Sequence, residues 1–478
     1  MATPIPENSV RFTLSELAAI VGGELRGGAA EAGLCGVVTD SRRVAPGNLY
    51  VALRGAHHDG HRFAAQALQA GAAAVLIDEP ASRPAHGAAV VVADTLKALG
   101  ALAAEHRRRW GGRVVAITGS AGKTTTKEMT FAALSALGLR VARTEGNLNN
   151  RIGVPMSLLA IDEGVELAVL ELGTSAAGEI ATLASICAPQ VAAVTCAAVA
   201  HTEGLGTLED VAREKMSLLA SLPAGGVALY NADDAALGAE LGAVTAKLRS
   251  FGRGEAADVR IASETLTPQP SSRAELRIAG RAQPLVLELS LFGPGPVLDA
   301  AAAMAIVEAL VGDAQLERAA AALAALPPVP GRLCPQELPG GALLLDDSYN
   351  ANPASVAASM QTTSQLAHAR GGRALAALGD MGELGAESGV EHRRVGRRAA
   401  QLGFAALYCY GPEMAQAVEA AQAAAGCASE LRARHFDHKD ALVSALGPQL
   451  RAGDVVLIKG SRSLAMETVV EALSGGGS

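Results

Sequence analysis

Short apolar runs alternate with longer helix-like segments along most of the chain, and this alternation predicts an α/β protein. Four runs in the middle of the chain are apolar at successive positions, as in strands buried on both faces of a parallel sheet: "RVVAIT", "LAVLEL", "VAAVTCA" and "GVALYN". The first run leads into "KTTTKEMTFAALSAL", which predicts a helix that stops at Gly138. Repetition of strand, loop and helix therefore predicts a central parallel sheet covered by helices.

The pattern changes on both sides of this central part and suggests three domains. Segment 1–108 has shorter strand-like pieces and one helix-like piece, which predict a small α/β domain: "GVVTD", "NLYVAL", "HRFAAQALQA" and "AAVLID". A second parallel α/β series follows the proline-rich break "LPPVPGR": "ALLLDD", "ALAALGD", "ALYCYG" and "VVLIKG". We place the domains at 1–108, 109–328 and 329–478, and expect an added antiparallel patch at 253–292, where apolar and polar residues alternate more.

Length, composition and charge agree with a multi-domain protein of the cytoplasm. The 478 residues amount to about three domains of roughly 150 residues. A net charge of −8 and an aromatic content of 3% argue against a nucleic-acid partner. The six cysteines form no Cys-x-x-Cys pair, so we expect reduced thiols. The N-terminus lacks the pattern of a signal peptide, and no uncharged apolar stretch reaches the roughly 18 residues of a membrane span.

The first candidate site is the loop in "VVAITGSAGKTTTKEM", between the first central strand and its helix. A loop in this position presents its backbone N–H groups and a helix N-terminus to an anion. We expect Lys123 to lie on the β- and γ-phosphates of ATP and the Thr124 hydroxyl to bind Mg²⁺. A chance Gly-Lys-Thr on a surface loop is the alternative, since Ile117 occupies the position of the usual first glycine. The residues expected to hold the nucleotide phosphates are Gly119, Ser120, Ala121, Gly122, Lys123, Thr124 and Thr125.

Polar residues at the ends of other predicted strands are further candidates. Glu171 ends the strand "LAVLEL", and an acid beside a phosphate loop commonly reaches the metal. His201 follows the next strand and is a candidate ligand, although a lone histidine is more often structural. In the last domain the strand ends carry Asp346, Asp347, Asp380 and Lys459, which gather at the carboxyl edge of a parallel sheet. A solvated strand-end glutamate is the alternative for Glu171.

Taken with the loop "TGSAGKTT", these features resemble the Mur ligases and their folylpolyglutamate synthetase relatives, whose short phosphate loop lacks the early glycine. The resemblance covers nearly the whole chain and is carried by "TDSRRVAPGNLYVALRGAHHDGHRF", "GNLNNRIGVPMSLL", "LELGTSAAGEI", "HTEGLGTLEDVAREK", "PVPGR", "LLLDDSYNANPAS", "LGDMGELGAES" and "KGSRSLAME". It is closest to the members that join D-Ala-D-Ala to UDP-MurNAc-tripeptide. A ligase that adds a diamino acid is the alternative within the family, but its Asp-Asn-Pro-Arg motif is missing here.

The resemblance implies a fold and a reaction. The N-terminal domain would bind the uridine diphosphate of UDP-MurNAc-tripeptide, the P-loop domain would bind ATP, and a Rossmann-like C-terminal domain would bring D-Ala-D-Ala. The enzyme would be a cytoplasmic, peptidoglycan-synthesising ligase that forms an acyl phosphate, with two Mg²⁺ ions and no membrane insertion. We expect a monomer.

The resemblance also implies roles for individual residues. Lys123, Lys215 and His201 would be catalytic, and Lys215 would be carbamylated. The implied Mg²⁺ ligands are Thr124, Glu171, His201 and the Lys215 carbamate. Beyond the phosphate loop, the implied nucleotide contacts are Asp299, Arg332, Asp346 and Asn350. The implied substrate contacts are Asp40, Ser41, Arg42, Asn149, Asn150, Asp380, Lys459, Ser461 and Arg462.

One stretch departs from the family pattern Gly-x-His-Asn-x-x-Asn-Ala. In "GPGPVLDA", Gly295 replaces the histidine and Asp299 replaces the asparagine that contacts adenine. An ionised Asp299 can only accept hydrogen bonds and would repel a ring-nitrogen lone pair, whereas an amide both donates and accepts. Ser217 also stands where a glutamate is common. A non-catalytic relative that binds nucleotide weakly is therefore the alternative to an active ligase.

Overall fold

The computed structural model describes residues 3–55, 58–200, 202–267, 269–425 and 431–475, which form four sheets within the described ranges. The N-terminal part has a five-stranded sheet of order β2-β7-β6-β5-β4, in which only β2 is antiparallel, and a small β1–β3 ladder. Its elements are β1 Arg11–Thr13, α1 Leu14–Val21, β2 Glu24–Arg26, β3 Gly33–Cys35, β4 Val37–Val38, β5 Leu49–Val51, α2 Ala64–Gln69, β6 Ala74–Ile77, β7 Ala88–Val91 and α3 Thr95–Trp110. The predicted small α/β unit is confirmed.

The central part contains a nine-stranded sheet of order β16-β15-β14-β13-β12-β11-β8-β10-β9. Its elements are β8 Arg113–Thr118, α4 Lys123–Ala136, β9 Val141–Arg143, α5 Gly153–Leu159, β10 Leu167–Glu171, α6 Glu179–Cys187, β11 Val191–Val194, α7 Thr202–Leu205, α8 Leu208–Ala220, β12 Val227–Asn231, α9 Ala235–Ala239, β13 Lys247–Gly252, β14 Val259–Leu266, β15 Ser272–Ile278, β16 Leu285–Leu289, α10 Pro294–Val311 and α11 Leu316–Leu323. The four predicted strands lie side by side as β8, β10, β11 and β12.

Strand order determines where this sheet can bind a ligand. After β8 the chain continues to β9 and β10 on one side, whereas β11, β12 and β13 lie on the other. All of these strands are parallel to their neighbours, so their carboxyl ends lie along one edge. The loops after β8 and β11 therefore diverge at a topological switch point, where open parallel sheets form a crevice.

The expected antiparallel patch is also confirmed. Strands β14, β15 and β16 pair antiparallel and extend the sheet beyond β13. On β15 and β16 buried and exposed residues alternate, because one face covers the core and the other faces solvent.

Helix α10 is the one described helix that is long and apolar enough, by length and composition, to cross a membrane. It also carries Asp299 and Glu308. Its middle, Ala300–Val307, lies in one apolar core with residues of α4, α11 and the antiparallel strands. These contacts account for the apolar sequence of α10 by packing within the central domain.

The C-terminal part is a six-stranded sheet of order β17-β18-β22-β19-β20-β21, in which only β17 is antiparallel. Its elements are β17 Cys334–Glu337, β18 Leu343–Asp347, α12 Pro353–Arg370, β19 Ala374–Gly379, α13 Ser388–Gln401, β20 Ala406–Tyr410, α14 Met414–Ala425, β21 Arg432–Phe436, α15 Lys439–Leu446, β22 Val455–Lys459 and α16 Glu467–Leu473. The predicted second parallel series corresponds to β18, β19, β20 and β22. The boundaries at 108/109 and 328/329 stay predictions.

Candidate nucleotide site

The loop between β8 and α4 has a backbone that only glycine permits at two positions. Gly122 has φ of 81°, and a Cβ there would lie 2.2 Å from Asp299 Oδ1. A Cβ on Gly119 would lie 1.8 Å from Thr195 Oγ1, so the loop approaches the end of β11 closely. Helix α4 then begins at Lys123 without a side-chain cap. Its first N–H groups are left for a ligand, as in anion sites at helix N-termini.

The segment after β11 holds this loop in place. Ser120 N–H donates to Cys196 O at 2.8 Å, and Ser120 Oγ donates to Ala198 O at 3.2 Å. Thr195 Oγ1 donates to Ala121 O. Lys123 Nζ folds back to Gly119 O at 2.7 Å. The two loops of the switch point therefore form one hydrogen-bonded unit.

A threonine, a glutamate and an asparagine meet beside the loop. Thr124 Oγ1 donates to Glu171 Oε2 at 2.9 Å, and Asn149 Nδ2 donates to Glu171 Oε1 at 2.8 Å. Mg²⁺ prefers oxygen ligands and keeps several waters and phosphate oxygens around one or two protein groups. The Thr124 hydroxyl and the Glu171 carboxylate fit that ion, although no group of three or more His, Cys, Asp or Glu side chains suited to a metal occurs among the described residues.

These groups line a cavity of about 390 Å³ between the central and C-terminal parts. It contains fourteen residues predicted from the sequence: Ser120, Ala121, Gly122, Lys123, Thr124, Thr125, Asn149, Asn150, Glu171, Lys215, Asp299, Arg332, Asn350 and Lys459. Arg332 Nη2 donates to Thr124 Oγ1 at 2.9 Å, which connects the proline-rich break to the phosphate loop. Residues far apart in sequence are thus brought around one space.

Four cationic and four acidic side chains line the cavity: Lys123, Lys215, Arg332 and Lys459, with Glu171, Glu179, Asp299 and Asp347. Burial lowers the pKa of Lys123, and the nearby Arg332 lowers it further while Glu171 opposes the shift. Burial and then Lys123 lower the pKa of Lys215 to about 7. A polyphosphate bound here would favour the charged forms of these cations, because its negative charge offsets their loss of hydration.

Asp299 lies against the phosphate loop from the first turns of α10. Its Oδ1 accepts a hydrogen bond from Thr126 Oγ1 at 3.4 Å. Burial raises the pKa of Asp299 to about 8, against the opposing effects of Thr126, Arg332 and Thr125. A pKa raised to about 8 favours the protonated form of this carboxyl at pH 7, which can donate as well as accept, in contrast to the ionised form considered from the sequence.

The end of β18 places two neighbouring acids differently, and the role of Asp346 in nucleotide binding stays a prediction. Asp346 does not line the cavity, and its Oδ1 accepts hydrogen bonds from Ser348 N and Oγ. The next residue, Asp347, lines it and pairs with Lys459 Nζ at 2.6 Å, so two of the gathered strand ends do meet. The two acids point to opposite faces of the strand, and sequence alone did not distinguish them.

Several other predicted residues lie outside this cavity. Asp40 caps a 3₁₀ turn at Ser41–Arg43 and accepts hydrogen bonds from Arg42 N, Nε and Nη2 on the exposed N-terminal surface. Asp380 accepts from Met414 N, and its backbone O accepts from Ser461 N. Arg462 pairs with Glu467 at 2.9 Å. His201 lies outside the described residues.

Other lining residues were not predicted from the sequence, among them Glu179, Tyr349 and Asn352. The Tyr349 ring lies 4.5 Å from the Arg332 guanidinium carbon. The Asn352 signal was present, since Asn before Pro with Ser three residues on is an N-cap pattern. It predicts a helix start and carries no information on what lies across the cavity.

A phosphate loop at the switch point of a parallel sheet, with a Thr–Glu pair beside it, defines a P-loop nucleotide-binding protein. Three family models match the chain: "Mur ligase family, catalytic domain" at 34–107, "Mur ligase middle domain" at 117–307 and "Mur ligase, glutamate ligase domain" at 331–462. The chain belongs to the Mur ligase family.

Individual relatives agree over nearly full length. The chain is 39% identical over 477 residues to UDP-N-acetylmuramoyl-tripeptide–D-alanyl-D-alanine ligase of Escherichia coli (strain K12), covering 98% of this chain and 99% of that protein. A crystal structure of MurF from Acinetobacter baumannii has a TM-score of 0.88 and 31% identity, with coverage of 98% and 100%. MurF ligase from Thermotoga maritima, solved in complex with ADP, has a TM-score of 0.79 and 29% identity, with coverage of 92% and 97%.

Proposed function

We infer that this protein is the ATP-dependent ligase that joins D-Ala-D-Ala to UDP-MurNAc-tripeptide in peptidoglycan precursor synthesis. The observation that carries this conclusion is the shared cavity, in which the phosphate loop of the central domain faces the strand ends of the C-terminal domain. The near-full-length relatives with that printed activity support the choice of substrates.

The chemistry explains why such a cavity is needed. A carboxylate is a poor electrophile, because an oxide would have to leave. Transfer of the γ-phosphoryl group of ATP to the tripeptide carboxylate forms an acyl phosphate. The amine of D-Ala-D-Ala then adds to the acyl carbon, and phosphate leaves from the tetrahedral intermediate as the amide forms. Phosphoryl transfer depends on positioning and charge more than on covalent catalysis, and a shared, desolvated space protects the acyl phosphate from water.

For the nucleotide we assign the loop from Gly119 to Thr125, with Lys123 on the β- and γ-phosphates. Arg332, Asp346 and Asn350 would approach the nucleotide from the C-terminal side. Asp299 would bind the adenine base, since its protonated carboxyl can donate to a ring nitrogen and accept from an amino group, as an amide does. A Cβ at Gly295 would meet nothing within 4 Å, so the missing histidine leaves space without disturbing the backbone.

For Mg²⁺ we assign Thr124 and Glu171, together with His201 and a carbamate on Lys215 for the second ion. Bound Mg²⁺ supplies charge that stabilises the transferring phosphoryl group. Carbamylation needs a neutral amine to attack CO₂, and a pKa of about 7 makes that form of Lys215 available at neutral pH. The carbamate is an anion, so its formation replaces the repulsion between Lys215 and the nearby Lys123 with an attraction.

The substrate contacts are assigned to three places. Asn149, which donates to Glu171, and Asn150, which lines the same cavity, are assigned to the acyl end of the tripeptide. Lys459, Asp380, Ser461 and Arg462 belong to the strand ends of the C-terminal sheet, the proposed side of D-Ala-D-Ala. The exposed Asp40–Ser41–Arg42 turn is proposed for the uridine diphosphate. We further propose a cytoplasmic monomer that does not insert into the membrane.

A non-catalytic relative remains the second candidate because of the altered 293–300 stretch. Phosphate release from ATP and Mg²⁺ distinguishes the two, measured with UDP-MurNAc-tripeptide and with or without D-Ala-D-Ala. For the ligase we expect release that needs both substrates, with the pentapeptide product detected by mass, and no release from Lys123→Ala. Absence of release from a folded protein that binds ATP weakly would reject the ligase.

A further inference from the structure

The side chain of Asn352 makes two hydrogen bonds in opposite directions. Its Oδ1 accepts from Ser355 N at 2.9 Å and caps α12, while Ser355 Oγ accepts from Asn352 N in return. Its Nδ2 donates to Ser120 O at 2.9 Å, across the cavity and 232 residues away in sequence. An amide is the side chain that can accept at one end and donate at the other.

The recipient of the second bond is part of the phosphate loop. The other polar groups of Ser120 already bind within the central domain, to Cys196 O and Ala198 O. Its carbonyl is the group that reaches the C-terminal domain. Because the peptide unit is planar, holding this carbonyl also fixes the orientation of the next N–H, on Ala121.

A second contact holds the other end of the same loop. Arg332 Nη2 donates to Thr124 Oγ1 at 2.9 Å. Asn352 and Arg332 thus hold the loop at both ends, but they differ in attachment. Arg332 ends the proline-rich break, whereas Asn352 is the N-cap of α12, an 18-residue helix that packs in the C-terminal core. Movement of α12 must therefore make or break the Asn352 bond.

We propose that Asn352 is a positioning residue that couples closure of the C-terminal domain to the conformation of the phosphate loop. This inference rests on the proposed ligase function only for its kinetic consequences. The closed arrangement would carry the bond from Asn352 to Ser120 O, and the open arrangement would lose it while the helix cap stays.

Asn352→Asp tests the two bonds separately. Aspartate caps a helix as well as asparagine does, so the thermal midpoint should stay close to that of the wild type. Its carboxylate cannot donate to Ser120 O and repels it. We expect kcat to fall about 10-fold or more, the order of effect of removing a positioning contact, with the KM for ATP nearly unchanged. X-ray scattering with ATP and Mg²⁺ should give a larger radius of gyration than for the wild type.

Asn352→Ser provides the same test without a new charge, since serine caps α12 but is too short to reach Ser120 O while doing so. Asp94→Ala is the matched control, because Asp94 caps α3 by accepting from Lys97 N at 2.9 Å in the N-terminal domain. It should lower the thermal midpoint and leave kcat and scattering unchanged.

Two results would overturn the proposal. One is a wild-type kcat and a wild-type radius of gyration in both Asn352 variants. The other is a raised KM for ATP at unchanged kcat and compact scattering, which would make Asn352 a direct nucleotide contact. The scattering measurement does not depend on catalysis, so it still tests Asn352 if the ligase assay itself fails.

Discussion

At the scale of single residues, burial determines the chemistry of this site more than residue type does. Asp299 and Lys215 carry opposite formal charges, yet burial moves both pKa values toward neutrality, to about 8 and about 7. An acid that holds its proton can replace an amide as donor, and a lysine that loses its proton can react with CO₂. Both differ from the behaviour of the same residues in water.

Asp299→Asn should remove a pH dependence of stability. The native carboxyl keeps its proton up to about pH 8, whereas the unfolded one loses it near 3.8. Between these values the unfolded state binds fewer protons, so the stability of the wild type falls as pH rises, by at most about 1.4 kcal/mol per pH unit from this group. Urea unfolding measured from pH 5.5 to 8.5 should show that the unfolding free energy of the variant rises relative to that of the wild type as the pH increases.

The control for that experiment is Glu255→Gln, whose side chain is 90% exposed and whose ionic partner, Arg260, stays protonated throughout this pH range. Its difference from the wild type should hardly change with pH. A pH-independent difference for Asp299→Asn as well would mean that Asp299 is ionised in the native protein.

Lys215→Arg should abolish carbamylation, because a guanidinium stays protonated at all working pH values. With ¹³C-bicarbonate, the wild type should show a carbamate signal by NMR that weakens below pH 7, as the amine becomes protonated. Lys97→Arg replaces an exposed lysine and should keep the signal. A signal that persists in Lys215→Arg would place the carbamate on another lysine.

At the scale of elements, a side chain on one helix caps the N-terminus of another. Helix α6 begins after Gly178 without a side-chain cap of its own. The Glu214 carboxylate on α8 accepts from Gly178 N at 2.7 Å and from Ile180 N at 2.8 Å. This carboxylate satisfies N–H groups that the helix itself leaves unpaired. It also fixes the residue before Lys215 to the loop that follows β10.

Glu214→Gln should therefore destabilise the protein more than a surface change does. Both carboxylate oxygens accept from N–H groups, so the amide –NH₂ must face a donor, at a cost of about 1–3 kcal/mol. Urea denaturation gives the loss in unfolding free energy. Glu209→Gln, on the exposed side of the same helix, should cost about 0.5 kcal/mol or less. Equal losses would mean that Glu214 does not cap α6.

At the scale of the whole molecule, the site exists only where two domains meet. The central domain supplies the phosphate loop, and the C-terminal domain supplies Arg332, Asp347, Asn352 and Lys459. A further hydrogen bond, from Thr202 Oγ1 to Leu384 O at 2.9 Å, joins the same two parts. A nucleotide bound there touches both domains and stabilises their association.

Nucleotide should consequently protect the connection between these domains from proteolysis. Arg332 is a trypsin site in the proline-rich break, and its side chain already binds the phosphate loop. At an ATP concentration of about 10 times Kd, with Mg²⁺, cleavage after Arg332 should slow about 10-fold. Mass spectrometry of the fragments measures the rate. Lys123→Ala, which lacks the phosphate-binding lysine, should show little protection. Protection equal to that of the wild type would mean that ATP does not bind at this loop.

The amino-acid sequence by itself determined the order of strands and helices and the phosphate loop. These features are local: apolar runs specify buried strands, and the Gly-Lys-Thr turn between a strand and a helix specifies an anion site. The tertiary structure decided which neighbours each side chain meets. It paired Asp347 with Lys459, placed Asn352 opposite Ser120, and shifted the pKa values of Asp299 and Lys215. Strand orientation, domain contact and burial depend on residues that are far apart in the sequence, so they cannot be predicted from the spacing of residues along the chain.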